Sequence, residues 1–462
     1  MKRRQMLQAT AASLATFHIV PRHVLGGPDH VAPSERIQLA IVGAGGRGRQ
    51  VLRSMMGEAD VRVVAVADPA ESVSLENFYY KDVGGREPTR QLLEQHYGPQ
   101  ESGYRCATYE NFQEMLSEQQ DVDAVLCGTP DHLHAYVSVK CLQAGKHVYC
   151  EKPLTHNIWE ARTVAAIAKE SGLATQMGNQ GHSSDGIRAT CEWLWAGAIG
   201  TVREVRVWVS GNRWNPTLTG LPQNEVAVPP GVNWDLWLGP REQRPFHPAY
   251  FPVGWRDFWA FGNSNIGDFG CHDLDAACWA LDLKNPTLVD FSPAGQGSDA
   301  IGPHGCIGYY HFPATDQRPA VKLTWYDGGL LPPRPEGWPP EQPLPRRGIL
   351  FIGDTGVLFC GGAGGAPKLL PESRMADFKQ PEPSLARVAS HHRNWLDACK
   401  GGAAAGSNFS YGANLTELAL LGALSLRSGQ PIHWNAEQMS ATNLPAAASI
   451  IQENYRSGWE IV

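Results

Sequence analysis

Residues 37–49, "IQLAIVGAGGRGR", decide the fold of the first part of the chain. The apolar run from Ile37 to Val42 predicts a strand, and it is followed by Gly43, Gly45 and Gly48 in the spacing G-x-G-x-x-G. After a strand, the first glycine permits a tight turn, the second lets a pyrophosphate approach the backbone, and the third lets a helix pack on the strand. The stretch therefore predicts a phosphate-binding loop that leads into the N-terminus of a helix, whose amide groups favour an anion.

An acidic residue follows the next strand-like run at the distance that this loop requires. Asp68 ends "VRVVAVAD", twenty residues after Gly48. A carboxylate there accepts hydrogen bonds from the adenosine ribose hydroxyls and repels a 2′-phosphate. We predict NAD as the cofactor. Arg47 and Arg49 lie beside the loop and leave NADP open as the alternative.

The pattern around this loop predicts two domains. From residue 36 to 155, short Val- and Ala-rich runs alternate with helical segments, which indicates a parallel sheet wound on both faces. From 156 to 462, helical segments flank many strand-like runs, and we expect an α+β domain with a large, open, mainly antiparallel sheet. Because parallel sheets bind ligands beyond the carboxyl ends of their strands, Asp68, Thr129 and Lys152 should surround one crevice.

Composition limits the class of partner. The chain has 462 residues and a formal net charge of −7 with scattered Lys and Arg, so no nucleic-acid partner is predicted. None of its ten cysteines forms a C-x-x-C pair, and most lie in apolar runs. Buried free thiols are therefore expected rather than a disulfide framework. A small-molecule partner is the better expectation.

The N-terminus has the pattern of an export signal. Arg3 and Arg4 precede an apolar stretch from about Ala9 to Val20, which is shorter than the roughly 20 residues of a membrane-spanning helix. We predict a twin-arginine signal and linker over residues 1–35, a periplasmic or cell-envelope location, and no stable membrane insertion. A basic tail without a targeting role is the alternative.

Lysine occupies an unusual position in "CEKPL", residues 150–154. Lys152 follows the buried run "HVYC", and Pro153 stops the strand directly after it. A cation at such a strand end can stabilise negative charge that develops on a substrate oxygen. The simpler alternative is a solvated lysine.

Asp268 and His272 are spaced four residues apart in "DFGCHDLDAACWALDL". On a helix they share one face, which Asp275 continues. An imidazole close to a carboxylate suits a general base poised near neutral pH. The alternatives are a helix N-cap for Asp268 and a buried structural role for His272. No metal site is predicted, because the His clusters "DHLH" and 391–392 lack a convincing third ligand.

Four stretches occur in the order found in one family: "GAGGRG", "GTPDHLHAYVSVKCLQAGKHVYCEKPL", "GWRDFWAFGNSNIGDFGCHDLD" and "LFIGDTGVL". Over residues 36 to 440 the chain resembles the Gfo/Idh/MocA (glucose–fructose oxidoreductase/inositol dehydrogenase) family. The resemblance implies that Lys152 points at the nicotinamide and the reacting hydroxyl, while Asp268 orients the substrate and His272 is the base. It also implies a cofactor-binding set of Thr129, Pro130, His134, Glu151, Asn179, Gln180, Trp255 and Arg256. The chain departs from the family in "GNSNIGD", where a glycine run is interrupted before Asp268.

The resemblance implies an NAD(P)-dependent oxidoreductase that acts on a CH–OH group of a sugar or polyol and forms a homodimer or homotetramer through the second domain's sheet. An envelope compartment offers no evident pool of free nucleotide, so we expect the cofactor to be tightly bound. Trp208, Trp214 and Trp255 are candidates for a sugar-facing platform. The first alternative is an NAD-dependent glycosidase that works by transient oxidation and elimination. The second is a cofactor-bound sugar sensor.

Overall fold

A computed structural model describes residues 31–461. Of the signal and linker predicted over residues 1–35, residues 1–30 lie outside the described residues. The first domain begins with β1 (Ile37–Val42), α1 (Gly46–Met55), β2 (Val61–Ala67), β3 (Val73–Ser74), β4 (Val83–Gly84), α2 (Arg86–Tyr97) and β5 (Ala107–Tyr109). It continues with α3 (Phe112–Glu118), β6 (Ala124–Cys127), α4 (Asp131–Gln143), β7 (His147–Cys150), α5 (Ile158–Ser171) and β8 (Thr175–Met177).

Six of these strands form one parallel sheet in the order β5-β2-β1-β6-β7-β8. Leu39 and Ile41 of β1 pack into one core cluster, whereas Ala40 and Val42 pack into another. Because alternate residues of a strand point to opposite faces, both faces of the sheet are covered. This confirms the predicted doubly wound α/β domain.

The first sheet extends past the domain boundary expected at residue 155. The chain returns through α5 and adds β8 beside β7. Helix α5 is well delimited, since Asn157 and Glu160 form a capping box at its start and Gly172 adopts a left-handed conformation at its end. The strand that ends before Lys152 is therefore an inner strand of the sheet rather than its edge.

The second domain follows with α6 (Asp185–Trp195), β9 (Val202–Val209), α7 (Trp234–Leu238), α8 (Ser264–Asp273), α9 (Asp275–Leu281), β10 (Leu288–Ala294), β11 (Gly305–Phe312) and β12 (Val321–Tyr326). It ends with β13 (Arg347–Gly353), β14 (Val357–Gly361), β15 (Pro367–Leu370), α10 (His391–Cys399), α11 (Phe409–Ser428), β16 (Ile432–Asn435), β17 (Ser440–Ala441) and α12 (Ala448–Ile451).

The nine strands of this domain form one sheet in the order β15-β14-β13-β9-β12-β11-β10-β16-β17. β9 and β12 run parallel, and the other neighbouring pairs are antiparallel. The mainly antiparallel sheet predicted for this domain is thus confirmed.

Helix α11 joins the two domains behind the predicted site. It packs against both α5 and α8, and its Thr416 hydroxyl accepts a hydrogen bond of 3.1 Å from the Leu154 amide. The end of β7 and the helix that carries Asp268 are therefore held against one common support.

The proline-rich segment 332–345 covers part of the second sheet's outer face. Trp338 and Leu344 pack against the cluster of Trp208, Leu350 and Leu370, and Trp208 Nε1 donates to the Pro345 carbonyl at 2.7 Å. Trp208 is fully buried there. It is therefore excluded from the sugar-facing platform considered above.

All ten cysteines are free thiols in the structure; nine are buried and Cys399 is half-buried. This agrees with the expectation from their sequence context. Within residues 31–461, no helix combines the length and apolarity that a membrane crossing needs.

Candidate active site

A cavity of 830 Å³ lies between the two domains. The glycine loop forms one wall, and helix α8 forms part of the other. It is lined by most of the predicted site residues: Gly43, Gly45, Arg47, Asp68, Thr129, Pro130, His134, Glu151, Lys152, Gln180, Trp255, Arg256, Asp268 and His272. The predicted residues Gly48 and Asn179 do not line it.

The three loop glycines have different structural roles. Gly43 has φ +86°, and a Cβ there would lie 2.5 Å from the Thr129 amide nitrogen. A Cβ at Gly48 would lie 2.1 Å from the Gly43 carbonyl oxygen, so this glycine allows α1 to pack on β1. Above Gly45 the space is open, and no side chain among the described residues caps the N-terminus of α1. Open space above uncapped helix amides fits a bound pyrophosphate.

Asp68 is held by the backbone on both sides of its carboxylate. Oδ2 accepts from the Ala44 amide at 2.7 Å, and Oδ1 accepts from the Ala70 amide at 2.8 Å. Burial raises the pKa of Asp68 to about 6, against the opposing effect of these two hydrogen bonds. Each oxygen keeps a lone pair for a ribose hydroxyl, as the predicted role requires.

The two arginines that left NADP open are engaged elsewhere. Arg49 is buried and donates to Asp82 and to the Thr89 hydroxyl. The Arg47 Nε lies 3.2 Å from Glu151 Oε1, so this side chain links the glycine loop to the end of β7. Neither guanidinium is directed at Asp68. The arrangement therefore favours NAD over NADP.

Glu151 and Gln180 face the cavity together, whereas Asn179 does not. Gln180 Nε2 donates to Glu151 Oε1 at 2.9 Å. Asn179 is fully buried behind them, where its amide donates to Asp275 and its carbonyl accepts from Ser407. Asn179 thus positions the cavity wall from behind and does not form its surface.

The start of α4 forms the floor of the cavity. Pro130 caps this helix, and the ring nitrogens of His134 lie 2.6 Å from the Pro153 carbonyl oxygen and 2.9 Å from that of Thr129. His134 therefore ties the ends of β6 and β7 together. Its ligand atom lies within 4.8 Å of those of Cys127 and Cys150, but both of its ring nitrogens already face backbone carbonyls.

Lys152 and Asp268 meet in the cavity across the two domains. The Lys152 Nζ lies 2.5 Å from Asp268 Oδ1 and 2.7 Å from the Asp268 carbonyl oxygen. Burial alone would raise the pKa of Asp268, but the positive charges of Lys152 and Arg256 outweigh it and hold that pKa well below its usual value. Asp268 is therefore ionised and keeps the lysine oriented.

His272 is a neutral imidazole without a carboxylate partner. Burial, together with the nearby charges of Lys152 and Arg347, lowers its pKa well below 6.5. Its Nδ1 is buried and has no hydrogen-bond partner among the described residues. The expected close pair with Asp268 is replaced by the Lys152–Asp268 pair, because the lysine competes for the same carboxylate. The prediction that the pKa of His272 lies near neutral pH is therefore wrong, and His272 is a base that stays unprotonated at lower pH.

Asp275 does not continue the face of Asp268 and His272. It begins the next helix, α9, where its carboxylate bonds to Asn179, His182 and Tyr411. The break between α8 and α9 at Leu274 turns it out of the cavity.

Trp255 and Arg256 form a stacked pair at the cavity wall. The Arg256 guanidinium carbon lies 4.1 Å from the centre of the Trp255 ring, and its Nε lies 3.6 Å from Asp268 Oδ1. Arg256 thus adds a second positive charge beside Asp268. Its place next to Asp268 puts it close to the substrate side as well as the predicted cofactor side.

The sequence analysis missed several side chains that line the cavity, namely Tyr79, Tyr80, Asp131, Phe269 and Arg347. Asp131 stands out among them, since burial raises its pKa to about 8 against the opposing charges of Arg256 and Lys152. The signal for Asp131 was present in "GTPDHLH", directly after Pro130 at a strand end. Phe269 directly follows Asp268 in a quoted motif, whereas Tyr79, Tyr80 and Arg347 come from segments without one.

Comparison with known proteins agrees with this geometry. Residues 37–179 match the model of an oxidoreductase family with an NAD-binding Rossmann fold. Residues 194–314 match the C-terminal alpha/beta domain of the same family. The two matches together cover more than half of the chain. The chain belongs to the Gfo/Idh/MocA oxidoreductase family. Its first domain is therefore an NAD-binding Rossmann domain, as predicted from the glycine loop and Asp68.

Two curated proteins are similar to the chain over part of its length. The chain is 34% identical over 189 residues to the 1,5-anhydro-D-fructose reductase of Ensifer adhaerens. This stretch covers 41% of this chain and 46% of the relative. It is 26% identical over 163 residues to the 2,7-anhydro-N-acetylneuraminate hydratase of Mediterraneibacter gnavus, covering 35% of this chain and 37% of the relative. The matched stretch thus spans less than half the length of either relative.

Solved structures show the same fold over a longer span. The WlbA dehydrogenase of Bordetella pertussis, crystallised with NADH and UDP-GlcNAcA, superposes with a TM-score of 0.59 and 16% identity over 87% of this chain and 98% of that chain. The aldose-aldose oxidoreductase of Caulobacter crescentus, complexed with glycerol, superposes with a TM-score of 0.54 and 16% sequence identity. The superposition covers 86% of this chain and 100% of that chain. At this identity the likeness concerns the fold.

Proposed function

We propose that this protein is an NAD-dependent oxidoreductase that acts on a CH–OH group of a sugar or polyol. The observation that carries the proposal is the Lys152–Asp268 pair beside neutral His272, at the carboxyl end of a nucleotide-binding sheet. A charged donor and an unprotonated base in one cavity are the two groups that oxidation of an alcohol requires.

Each residue of the site has a separate role in the proposed reaction. NAD, when bound, supplies the hydride acceptor. An ammonium group has three donors, and two of those of Lys152 point at Asp268, so the third remains for the substrate oxygen. His272 takes the hydroxyl proton, since its lowered pKa keeps the imidazole unprotonated. Asp268 holds the lysine in place and accepts hydrogen bonds from neighbouring hydroxyls.

The choice of a sugar or polyol rests on the cavity and on the relatives. The substrate side of the cavity combines charged groups with aromatic rings, including Arg256, Arg347, Phe269 and Trp214. Such a mixture suits a molecule with many hydroxyls and apolar C–H faces. The names of the relatives, a fructose derivative reductase and a neuraminate hydratase, point to the same class of substrate.

The proposal includes the cell compartment and the assembly. Export through the twin-arginine route rests on Arg3 and Arg4 before a short apolar stretch. An exported enzyme must keep its nucleotide and regenerate it in place, and the Arg47–Glu151 link between the glycine loop and the end of β7 supports retention. We also propose that the protein assembles into a homodimer or homotetramer through the sheet of its second domain.

The test is to denature the purified protein and identify the released nucleotide by mass spectrometry. We expect NAD(H) in near-stoichiometric amount. The native protein is then mixed with single sugars and polyols, and the absorbance of reduced nicotinamide is followed over one turnover. A protein that neither carries NAD(H) nor changes this absorbance with any sugar or polyol contradicts the proposal.

A second function, an NAD-dependent glycosidase, is favoured by Asp131. Transient oxidation of a ring carbon acidifies the neighbouring C–H bond, and a base removes that proton as the aglycone leaves. Water then adds to the resulting double bond, and the carbonyl is reduced again by the returned hydride. The departing oxygen needs a proton, and a carboxyl whose pKa is raised to about 8 still holds one at neutral pH. Release of the aglycone without net change in NADH would identify this function.

A further inference from the structure

Two aromatic side chains stand exposed at the mouth of the cavity. Tyr79 is 59% exposed and Trp214 is 37% exposed, and both line the cavity. Soluble proteins rarely leave large apolar side chains grouped at the surface, and such groups mark binding sites. We call this pair the aromatic platform.

The platform is assembled from both domains. Tyr79 lies between β3 and β4 of the first domain, and Trp214 lies in the loop after β9 of the second. Their ring centres are 5.7 Å apart with an angle of 24° between the planes. The two rings therefore pack together with nearly parallel planes, and both line the cavity between the domains.

Neighbouring side chains hold the platform in position. The Asp257 carboxylate accepts from the Trp214 amide at 2.8 Å and from the Asn215 amide at 2.7 Å. The Tyr79 hydroxyl is 2.6 Å from that of Tyr80, and the Tyr80 ring packs on Gly46, where a Cβ would lie 2.4 Å from it. A site that is ordered in advance loses less entropy when it binds a ligand.

Arg256 connects the platform to the reacting centre. Its guanidinium carbon lies 5.7 Å from the centre of the Trp214 ring, while its Nε lies 3.6 Å from Asp268 Oδ1. No residue between 31 and 461 accepts a hydrogen bond from this guanidinium. Its donors are thus left for a ligand that extends from Asp268 towards the platform.

We propose that the aromatic platform binds a second sugar ring, so that the substrate is a disaccharide rather than a monosaccharide or its methyl glycoside. The C–H groups of the second ring pack against the exposed part of the Tyr79–Trp214 pair, and the unused donors of Arg256 bind hydroxyl groups between the two sugar rings. The first ring lies at Lys152 and His272. This inference rests on the proposed function and names its substrate class.

The test compares substrates that differ only in the second ring. The single-turnover rate of nucleotide reduction is measured at increasing concentrations of disaccharides of glucose and galactose and of the corresponding methyl glycosides, and the initial slope is taken as kcat/KM. We expect kcat/KM for the preferred disaccharide to exceed that for its methyl glycoside at least tenfold. Trp214→Leu and Tyr79→Leu should each lower the disaccharide value several-fold more than the methyl glycoside value. Tyr79→Phe, which keeps the ring, should retain the preference.

Trp195→Leu is the matched control, because Trp195 is 51% exposed and does not line the cavity. It should leave the ratio between the two substrates at the wild-type value. Equal kcat/KM for disaccharides and methyl glycosides would overturn the inference, as would a preference for nucleoside diphosphate sugars that depends on Trp214. In both cases sugar oxidation itself would still be observed. If the proposed function failed instead, disaccharides would quench Trp214-dependent fluorescence without reducing the nucleotide.

Discussion

The ammonium group of Lys152 is bound twice by Asp268, once through the carboxylate at 2.5 Å and once through the main-chain carbonyl at 2.7 Å. The two residues are 116 positions apart and belong to different domains. Two acceptors on one residue fix the direction of the amino group as well as its distance. The relative position of the two domains therefore sets the geometry of the proposed reaction.

Replacement of Lys152 tests the oxyanion role. Lys152→Met should reduce the single-turnover rate roughly 10²–10³-fold, the loss typical when one such donor is removed. The nucleotide content found by mass spectrometry should stay near that of the wild type. Lys169→Met, at an exposed position on α5, is the control and should not change the rate. An unchanged rate in Lys152→Met would show that another group stabilises the substrate oxygen.

The pH dependence tests His272 as the base. A lowered pKa means that the imidazole loses its proton well below pH 6.5, so the active form persists into mildly acidic solution. We expect kcat/KM to stay level from pH 7 to pH 6 and to fall only at lower pH. His272→Gln should lower the rate by about 10²–10⁴-fold. An acid limb centred near pH 6.5 or above would contradict this environment for His272.

Three glycine substitutions separate folding from nucleotide binding. Gly48→Ala places a Cβ 2.1 Å from the Gly43 carbonyl oxygen and should lower the free energy of unfolding by about 1–3 kcal/mol or more. Gly45→Ala meets no protein atom within 4 Å, so the protein should fold normally yet lose nucleotide, because the methyl group enters the proposed pyrophosphate site. Gly57→Ala, also without neighbours within 4 Å, is the control for both measurements. Thermal unfolding and released nucleotide are the two readouts.

Asp68 should determine the choice between NAD and NADP. Asp68→Ser removes the carboxylate that repels a 2′-phosphate, and Arg86, which donates to the Asp68 carbonyl at 3.0 Å, lies beside the position. We expect NAD affinity to fall about tenfold or more, since the loss of charged hydrogen bonds costs roughly 1.5–3 kcal/mol. The ratio of NADP to NAD affinity, measured by calorimetry on nucleotide-free protein, should rise. An unchanged ratio would exclude this carboxylate as the discriminating group.

Asp131 should behave as a neutral carboxyl group at pH 7. Because its pKa is raised to about 8, Asp131→Asn should keep the hydride-transfer rate at pH 7 within a few-fold of the wild type. Above pH 8 the wild-type carboxyl ionises and adds a negative charge near Lys152 and Arg256, which should change the hydride-transfer rate. Asparagine does not ionise, so this change should be absent from the variant. Asp316→Asn, at an exposed position, should retain that change. A large loss at pH 7 would mean that the carboxylate form of Asp131 is needed.

The sequence predicted the parts of the site that depend on local structure. The glycine loop, Asp68 and Lys152 each follow a strand end, and the topology of a parallel sheet brings such ends together. This reasoning needs no knowledge of distant contacts. The structure places Gly43, Gly45, Asp68 and Lys152 around one cavity, whereas Gly48 packs behind the loop. Asn179, which the family resemblance implied, lies outside the cavity because its side chain bonds to Asp275 and Ser407.

The parts that the sequence could not predict depend on contacts between distant segments. The spacing of Asp268 and His272 suggested a pair, but Lys152 binds the carboxylate from the other domain. Tyr79 and Arg347 enter the cavity from segments without any motif, so no local pattern marks them. Trp208 and Trp214 are alike as sequence candidates, and only the cover provided by the proline-rich segment separates the buried one from the exposed one.

The burial of the cysteines bears on whether the chain should fold before or after it meets an oxidising compartment. Unfolded, the chain carries ten thiols, and any two of them can be joined wrongly by an oxidant. Folded, it hides nine of them, and a buried thiol reacts slowly. A chain of this kind is safest if it folds where thiols stay reduced and meets an oxidising compartment only afterwards. The buried thiols are therefore compatible with the proposed export of a protein that folds and binds its nucleotide before transport.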